Sequence, residues 1–465
     1  MDHFAFQPES PDPARARLWC EDVDLGELAE SVGTPLYVYS EKTIIDHARR
    51  FVEAFAPLAP SVHYAAKANP SLEVLKLIVA QGLGIDVVSG GELERAWLAG
   101  CPMERVVFAG VGKTEREIRA ALDGRFSPFA AAGEPGIPDP AQRGPVGRFN
   151  IESEGELERL ASIAAELGVV AKAALRVNPN VDARTHEYTT TGLTENKFGV
   201  PVERTTAFFE RAAELPSVTL EGLHVHLGSP IYEVEPYAQG IEVVLRVIDE
   251  LAVAGHRVSH LNLGGGFGAD YETGKSPWAR DYARVLVPML EDRARNGLRI
   301  GLEPGRTIMA NAGVLLTRVQ YVKQNQIERG AGKRFLICDA GMNALVRPSL
   351  YRAFHFAWPI ACDAARMPSE RVESPTLPGL STADVVGPLC ETGDFLAKDR
   401  PLPDVDAGDV LAIYSAGAYG RSMAMTYNEH PLPAEVMVSG DAWRLIRRAG
   451  TPMDLVRPEL GLAAP

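Results

Sequence analysis

The chain is poor in cysteine: five in 465 residues, an odd number, widely spaced and with no CxxC pair. That pattern signals neither a disulfide framework nor a structural zinc site. Apolar residues never run to the roughly 20 that a membrane-spanning helix needs. The first residues, Met1-Asp2-His3, lack a basic and then apolar leader, so a cytoplasmic setting is the expectation. Positive charge is also scarce, with 47 basic against 61 acidic side chains and a net charge of −14. A chain this acidic is a poor candidate for wrapping nucleic acid or lying on an anionic membrane. There is no internal repeat and no heptad array. What remains is an ordinary globular composition, 46% hydrophobic and 23% charged.

From about residue 60 to 310 one pattern recurs: a short apolar strand, a polar turn, then a helical segment. Strands are predicted near 62–67, 85–89, 106–110, 149–153, 174–178, 222–228, 260–264 and 299–303. Between them Ile241, Val244, Leu245, Ile248 and Leu251 share one helical face. Thr114 with Glu117 spells a capping box. Eight β-then-α units in succession argue for a closed parallel (β/α)8 barrel, with an open doubly wound sheet as the rival. After Arg306 strands recur without regular helices, near 314–321, 335–339, 383–389 and 410–415, and predict a β domain. The expected division is a barrel over 40–308 and a mainly β domain from 1–39 with 309–465. Residues 124–147 hold five Gly and five Pro and are expected to be a mobile surface insertion without catalytic part. The connection 178–199, on the mouth side, is expected to be a lid or substrate-facing loop.

In such a barrel the C-terminal strand ends converge on one mouth. Lys67 ends the first strand; in a partly dry pocket a lysine becomes a nucleophile for aldehydes, and otherwise it is a mouth salt bridge. Gly264, Gly265 and Gly266 follow the seventh strand, where bare backbone can approach a phosphate. Glu303 ends the eighth strand and suits a pyridine nitrogen, or else is a structural partner of Arg306. His224 and His226 are spaced i, i+2 and suit either a metal or stacking on a planar ring. Taken together, a lysine nucleophile, a phosphate cradle, a flat imidazole and an acid for a ring nitrogen match pyridoxal 5′-phosphate (PLP) chemistry.

The strings YAAKAN (64–69), DVVSGGEL (86–93), HVHLGS (224–229), LGGGFG (263–268), EPGR (303–306), NALVRPSLY (343–351), CETGD (390–394) and GAYG (417–420) stand in order along the chain. In these the sequence closely resembles the diaminopimelate decarboxylases, alanine-racemase-like fold-type III PLP enzymes, over essentially its whole length outside 124–147. The resemblance implies a PLP-dependent carboxy-lyase that converts meso-2,6-diaminopimelate to L-lysine and CO2, the last step of lysine biosynthesis. It implies that Lys67 carries the cofactor and His226 stacks on its ring. Ser229, the Gly264–Gly266 turn, Gly305 and Tyr419 are implied around the phosphate, Glu303 at the ring nitrogen and Arg176 near the phenolic oxygen. Arg306, Arg347 and Tyr351 are implied as substrate carboxylate ligands, Tyr419 as a further substrate contact, Glu391 as a partner of the substrate ammonium, and Cys390 as the acid that reprotonates the product. It also implies a homodimer in which CETGD and GAYG complete the partner's site, and no metal. A related decarboxylase of basic amino acids or carboxynorspermidine, and more distantly a metal-dependent hydrolase built on His224 and His226, are the alternatives. Pro230 after HLGS, and Arg421-Ser422 after GAYG, depart from the family pattern.

Overall fold

A computed structural model describes residues 3–9, 12–128, 139–182, 197–327 and 330–462. The eight predicted strands form as Ser61–Ala65, Gly84–Val87, Val106–Phe108, Arg148–Ile151, Ala171–Asn178, Val218–His224, His260–Asn262 and Arg299–Leu302. Each pairs in parallel with the next. Arg299–Leu302 pairs back onto Ser61–Ala65, so the ring is closed and the open-sheet rival falls away. These strands are covered on both faces, which is why they read as apolar runs rather than alternating ones. Ile85, Phe108, Phe149, Leu175, Leu223, Leu261 and Ile300 are all buried in the core.

The helices begin and end on local signals. Glu115–Leu122 starts at the Thr114–Glu117 capping box, and Glu154–Leu167 starts on the Ser153 side chain and stops at Gly168. Helix Glu235–Val253 buries Ile241, Val244, Val247, Ile248 and Leu251. Leu245 is only half-buried at the edge of that face, where Val247 takes the inner place.

The described flanks of the Gly/Pro-rich insertion differ from expectation. Ser127 Oγ and Arg143 Nη1 both donate to Glu94 Oε2, at 2.8 and 2.9 Å, and Arg143 Nη2 donates to the Ala120 carbonyl at 2.6 Å. Ser127, Arg143 and Glu94 are all buried. Composition pointed to a loose loop, but a paired buried charge fastens residues 124–128 and 139–147 to helix Gly90–Leu98. Residues 129–138, and most of the expected lid (183–196), lie outside the described residues.

The chain divides into two compact units, one of Ala48–Gly268 with Pro277–Thr307, the other of Met1–His47, Ala269–Ser276 and Ile308–Pro465. Ala269–Ser276 was expected within the barrel. It groups with the β unit because Thr273 N donates to the Arg371 carbonyl at 2.9 Å and Asn311 Nδ2 to the Asp270 carbonyl at 3.2 Å. In the β unit, the 15-residue strand Gly313–Ile327 pairs with Gly330–Cys338, Val410–Ile413 and Leu36–Ser40. Leu36–Ser40 is wholly buried and also pairs with Ala434–Ser439. A second, four-stranded sheet is built on Arg15–Cys20. Among the described residues no helix is long and apolar enough to cross a membrane.

Candidate active site

Glu303 leaves the eighth strand with its N–H donated to the Gly264 carbonyl at 2.8 Å, which turns its side chain into the barrel mouth. It is 3% exposed. Its Oε1 accepts from Asn262 Nδ2 at 2.7 Å and Asn150 Nδ2 at 3.3 Å, and its Oε2 is 3.1 Å from His224 Nε2. Burial alone pushes this carboxyl up; the hydrogen-bonded His224 and the nearby Lys67 charge overcome it and hold the group well below the usual carboxylate range. The site therefore maintains an ionised carboxylate away from water. Arg306 is not its partner: Arg306 Nε donates instead to Ser229 Oγ at 3.1 Å.

Lys67 lies in the single helical turn Ala66–Ala68 that follows the first strand. Gly305 packs against this turn, where a Cβ would come within 3.0 Å of Ala65 Cβ and 3.1 Å of Ala68 Cβ. Lys67 Nζ is 3.3 Å from Asp86 Oδ2. Asp86 is completely buried. Burial first, and then the nearby Glu303 charge, raise its carboxyl to about 8 against the opposing pull of Lys67. The contact expected at the mouth is present as a hydrogen bond, to a carboxyl that burial favours in its neutral form, and it holds the amine at the end of the first strand.

His226 and the glycine turn interlock. The Gly265 N–H donates to His226 Nδ1 at 3.1 Å, so the imidazole is an acceptor on that side. Burial, with Lys67 and Arg176 nearby, keeps it neutral by lowering its pKa well below the ordinary histidine value. The Gly264 N–H donates to Asn262 Oδ1 at 2.8 Å. Two of the three amides expected to face an anion are therefore spent inside the turn, orienting Asn262 and His226. The Gly266 N–H has no partner among the described residues. At Gly266, with φ of 100°, a side chain would run into the Gly228 carbonyl oxygen. His224 and His226 are engaged in different directions, and among the described residues no group of three or more His, Cys, Asp or Glu could hold a metal.

Arg176 on the fifth strand is buried, with Nη1 3.0 Å from Glu152 Oε1 and its guanidinium 4.7 Å from the Phe198 ring centroid. In the β unit Arg347 is 5% exposed, opens the helix Arg347–Tyr351 and lies 4.4 Å over the Tyr271 ring. Its Nη1 donates to His355 Nε2 at 2.8 Å, and His355 Nδ1 in turn donates to the Tyr414 carbonyl at 2.8 Å. That tautomer leaves Nε2 as an acceptor, so His355 is neutral and orients the guanidinium. Tyr351 and Tyr419 are half-buried, the latter with φ of 57°. Cys390 and Glu391 are exposed on a turn. That turn is organised by Asp394, which accepts from Met342 N at 2.6 Å and Leu389 N at 2.7 Å.

Sequence reading named the charged ends of the strands and missed what holds them: Asn150, Glu152, Asn262, Tyr271, His355 and Asp394. A signal existed for two of these, since Asn150 and Asn262 are amides inside otherwise apolar barrel strands, where a buried polar group needs a partner.

The family described as "Pyridoxal-dependent decarboxylase, pyridoxal binding domain" matches residues 41–310. The diaminopimelate decarboxylase of Pseudomonas aeruginosa is 43% identical over 459 residues, covering 99% of each chain. The solved Helicobacter pylori diaminopimelate decarboxylase, complexed with L-lysine, superposes with a TM-score of 0.80 at 35% identity, over 94% of this chain and 99% of that one. The M. jannaschii enzyme, in co-complex with L-lysine, gives a TM-score of 0.82 at 33% identity, over 99% and 98%. With matches of this extent on a closed barrel that carries the lysine, the glycine turn and the buried glutamate, the chain belongs to the diaminopimelate decarboxylase family of pyridoxal-dependent decarboxylases.

Proposed function

We propose that this chain decarboxylates meso-2,6-diaminopimelate to L-lysine and CO2 with PLP as cofactor. The observation that carries the reading is the Glu303 carboxylate, kept ionised without solvent at the mouth that also presents Lys67. The donor set fits the cofactor. Lys67 supplies the amine for its aldehyde, Glu303 the anion for its ring nitrogen, and His226 a neutral flat ring. Ser229, Arg306, the Gly266 N–H and Tyr419 suit its phosphate, and Arg176 its phenolic oxygen. Asp86 Oδ1, buried and without a partner among the described residues, leaves room for a further donor beside Lys67. Bound PLP supplies an electron sink for the pair released when the carboxylate leaves Cα.

The protein's share is placement and charge. Glu303 sets the electrostatics before substrate arrives, so no reorganisation is needed during reaction. Arg347, held by His355 and Tyr271, takes the distal carboxylate with Tyr351, and Glu391 takes the distal ammonium. A substrate without the distal carboxylate forgoes the charge-assisted hydrogen bonds to buried Arg347, at a cost of about 1–3 kcal/mol, which argues against ornithine. Cys390 Sγ or Lys67 Nζ delivers the proton to Cα. We further propose a homodimer in which Cys390, Glu391 and Tyr419 serve the partner's site.

The test is CO2 release from meso-diaminopimelate, ornithine and arginine, assayed separately. Diaminopimelate alone should be turned over efficiently; comparable kcat/KM with ornithine or arginine overturns the assignment. Mixing Lys67→Ala with Cys390→Ala protein should restore part of the activity if sites are shared between subunits, and none if each subunit is self-contained.

A further inference from the structure

Around the barrel mouth one carboxylate does two things at once. Glu152 directly follows the fourth strand, with its side chain almost wholly buried. Its Oε1 takes Arg176 Nη1 at 3.0 Å, and its Oε2 accepts the Gly199 N–H at 3.1 Å. Gly199 has φ of 71°, and a Cβ there would lie 3.2 Å from the Arg176 carbonyl oxygen, so the chain re-enters the barrel tightly against the fifth strand. The residue before it, Phe198, supplies the ring that lies under the Arg176 guanidinium. The guanidinium is thus fixed at its edge by Glu152 and on its face by Phe198.

Glu152 is itself held from behind. Its N–H donates to Glu156 Oε2 at 2.9 Å, and Glu156 Oε1 is 2.6 Å from Lys113 Nζ. Lys113 is buried and donates to the carbonyls of Gly110 and Asn150, both at 2.8 Å. The chain of contacts runs from the end of the third strand, through the fourth, to Arg176 on the fifth. A buried ion chain of this kind is a poor device for stability, because desolvating each charge offsets most of the attraction. It is an effective device for holding one guanidinium in one orientation.

We infer that Glu152 is a positioning residue for Arg176, fixing the guanidinium through which the protein addresses the cofactor's ring oxygen. This rests on the reading of Arg176 given under the proposed function. A glutamine cannot replace the carboxylate fully: one of its two ends is an NH2, and it faces either the guanidinium or the Gly199 N–H donor to donor.

The experiment is a pH titration of the visible absorption of the PLP-loaded enzyme, for the wild type, Glu152→Ala, Glu152→Gln, Arg176→Ala and the double variant Glu152→Ala/Arg176→Ala. If Glu152 acts by placing Arg176, Glu152→Ala moves the midpoint in the same direction as Arg176→Ala. Glu152→Gln moves it the same way by less, and the double variant moves no further than Arg176→Ala alone. kcat for Glu152→Ala should fall about tenfold or more with KM little changed. A shift opposite to that of Arg176→Ala marks a plain charge effect and overturns the inference, as does an unmoved midpoint or an additive double variant. Should Glu152→Ala fail to fold, Glu152→Gln carries the same comparison. Failure of the cofactor reading itself would look different, since no variant, nor the wild type, would then show a visible band.

Discussion

The two ends of the barrel bury polar groups in opposite ways. At the mouth, charges are kept: Glu303 is ionised, and Arg176 stands beside Glu152. Towards the floor His63 and His260 are 6% and 2% exposed, and burial drives both imidazoles neutral, His63 down to about 4. His63 Nδ1, His260 Nε2 and Arg148 Nε have no partner among the described residues, although Arg148 is ion-paired with Glu221. The mouth spends free energy to hold charge where chemistry needs it. The floor holds neutral imidazoles that leave the fold open to acid.

The sharpest way to break this contrast is at the mouth. Lys67→Ala should reduce CO2 release by about 10³-fold or more and abolish borohydride trapping of PLP, because Lys67 is the amine assigned to the cofactor's aldehyde. Labelling of a different lysine in the wild type would end the assignment. Glu303→Gln keeps shape and loses charge. Turnover should drop about 10²–10³-fold with the visible PLP band retained, since a preset charge acts on the reaction, and Tm should fall as well, because a carboxyl held below its usual range stabilises the fold while ionised. Cys390→Ala should retain the visible band and lose most turnover; wild-type rates would leave Lys67 as the proton donor. Arg347→Ala should raise KM for diaminopimelate far more than it weakens PLP binding, and equal loss of both would mean a structural role.

The floor should respond to pH and not to substrate. An unfolded histidine titrates near 6.5, while His63 in the fold titrates at about 4. Between these values the unfolded chain binds the extra proton, so stability is unaffected above 6.5 and falls as pH drops towards 4, by about 3 kcal/mol for this one group. Urea midpoints measured from pH 8 to 4 read this directly. His63→Leu should flatten the slope and, at pH 8, leave kcat within about twofold of wild type. A kcat collapse would mean that floor and mouth are coupled.

Much of this was legible beforehand, for identifiable reasons. The barrel strands announced themselves because both faces are covered, and Lys67, His226 and Glu303 stood out because charged or polar side chains end apolar runs. Strand Leu36–Ser40 was missed because its hydrogen-bonding partners, Gly313–Ile327 and Ala434–Ser439, are hundreds of residues away. The holding roles of Asp394 and Glu152 were missed for a related reason: each accepts an N–H from a segment far along the chain, Met342 and Gly199, and nothing local marks that partner. The flanks at 124–128 and 139–147 misled because glycine and proline content describes backbone freedom, and the buried Glu94–Arg143 pair that decides the matter lies outside that count.

The ring of strands closes without an edge, and that makes alignment a shared property of the whole cylinder. Along any strand, neighbouring side chains point alternately inward and outward, so a single inserted or deleted residue swaps the two sets. In an open sheet an outer strand can absorb such a slip alone. Here a slip in His260–Asn262 would carry Asn262 out of reach of Glu303 and disturb two flanking strands together. Natural drift in this protein should therefore collect length changes in the connections and almost none within the staves.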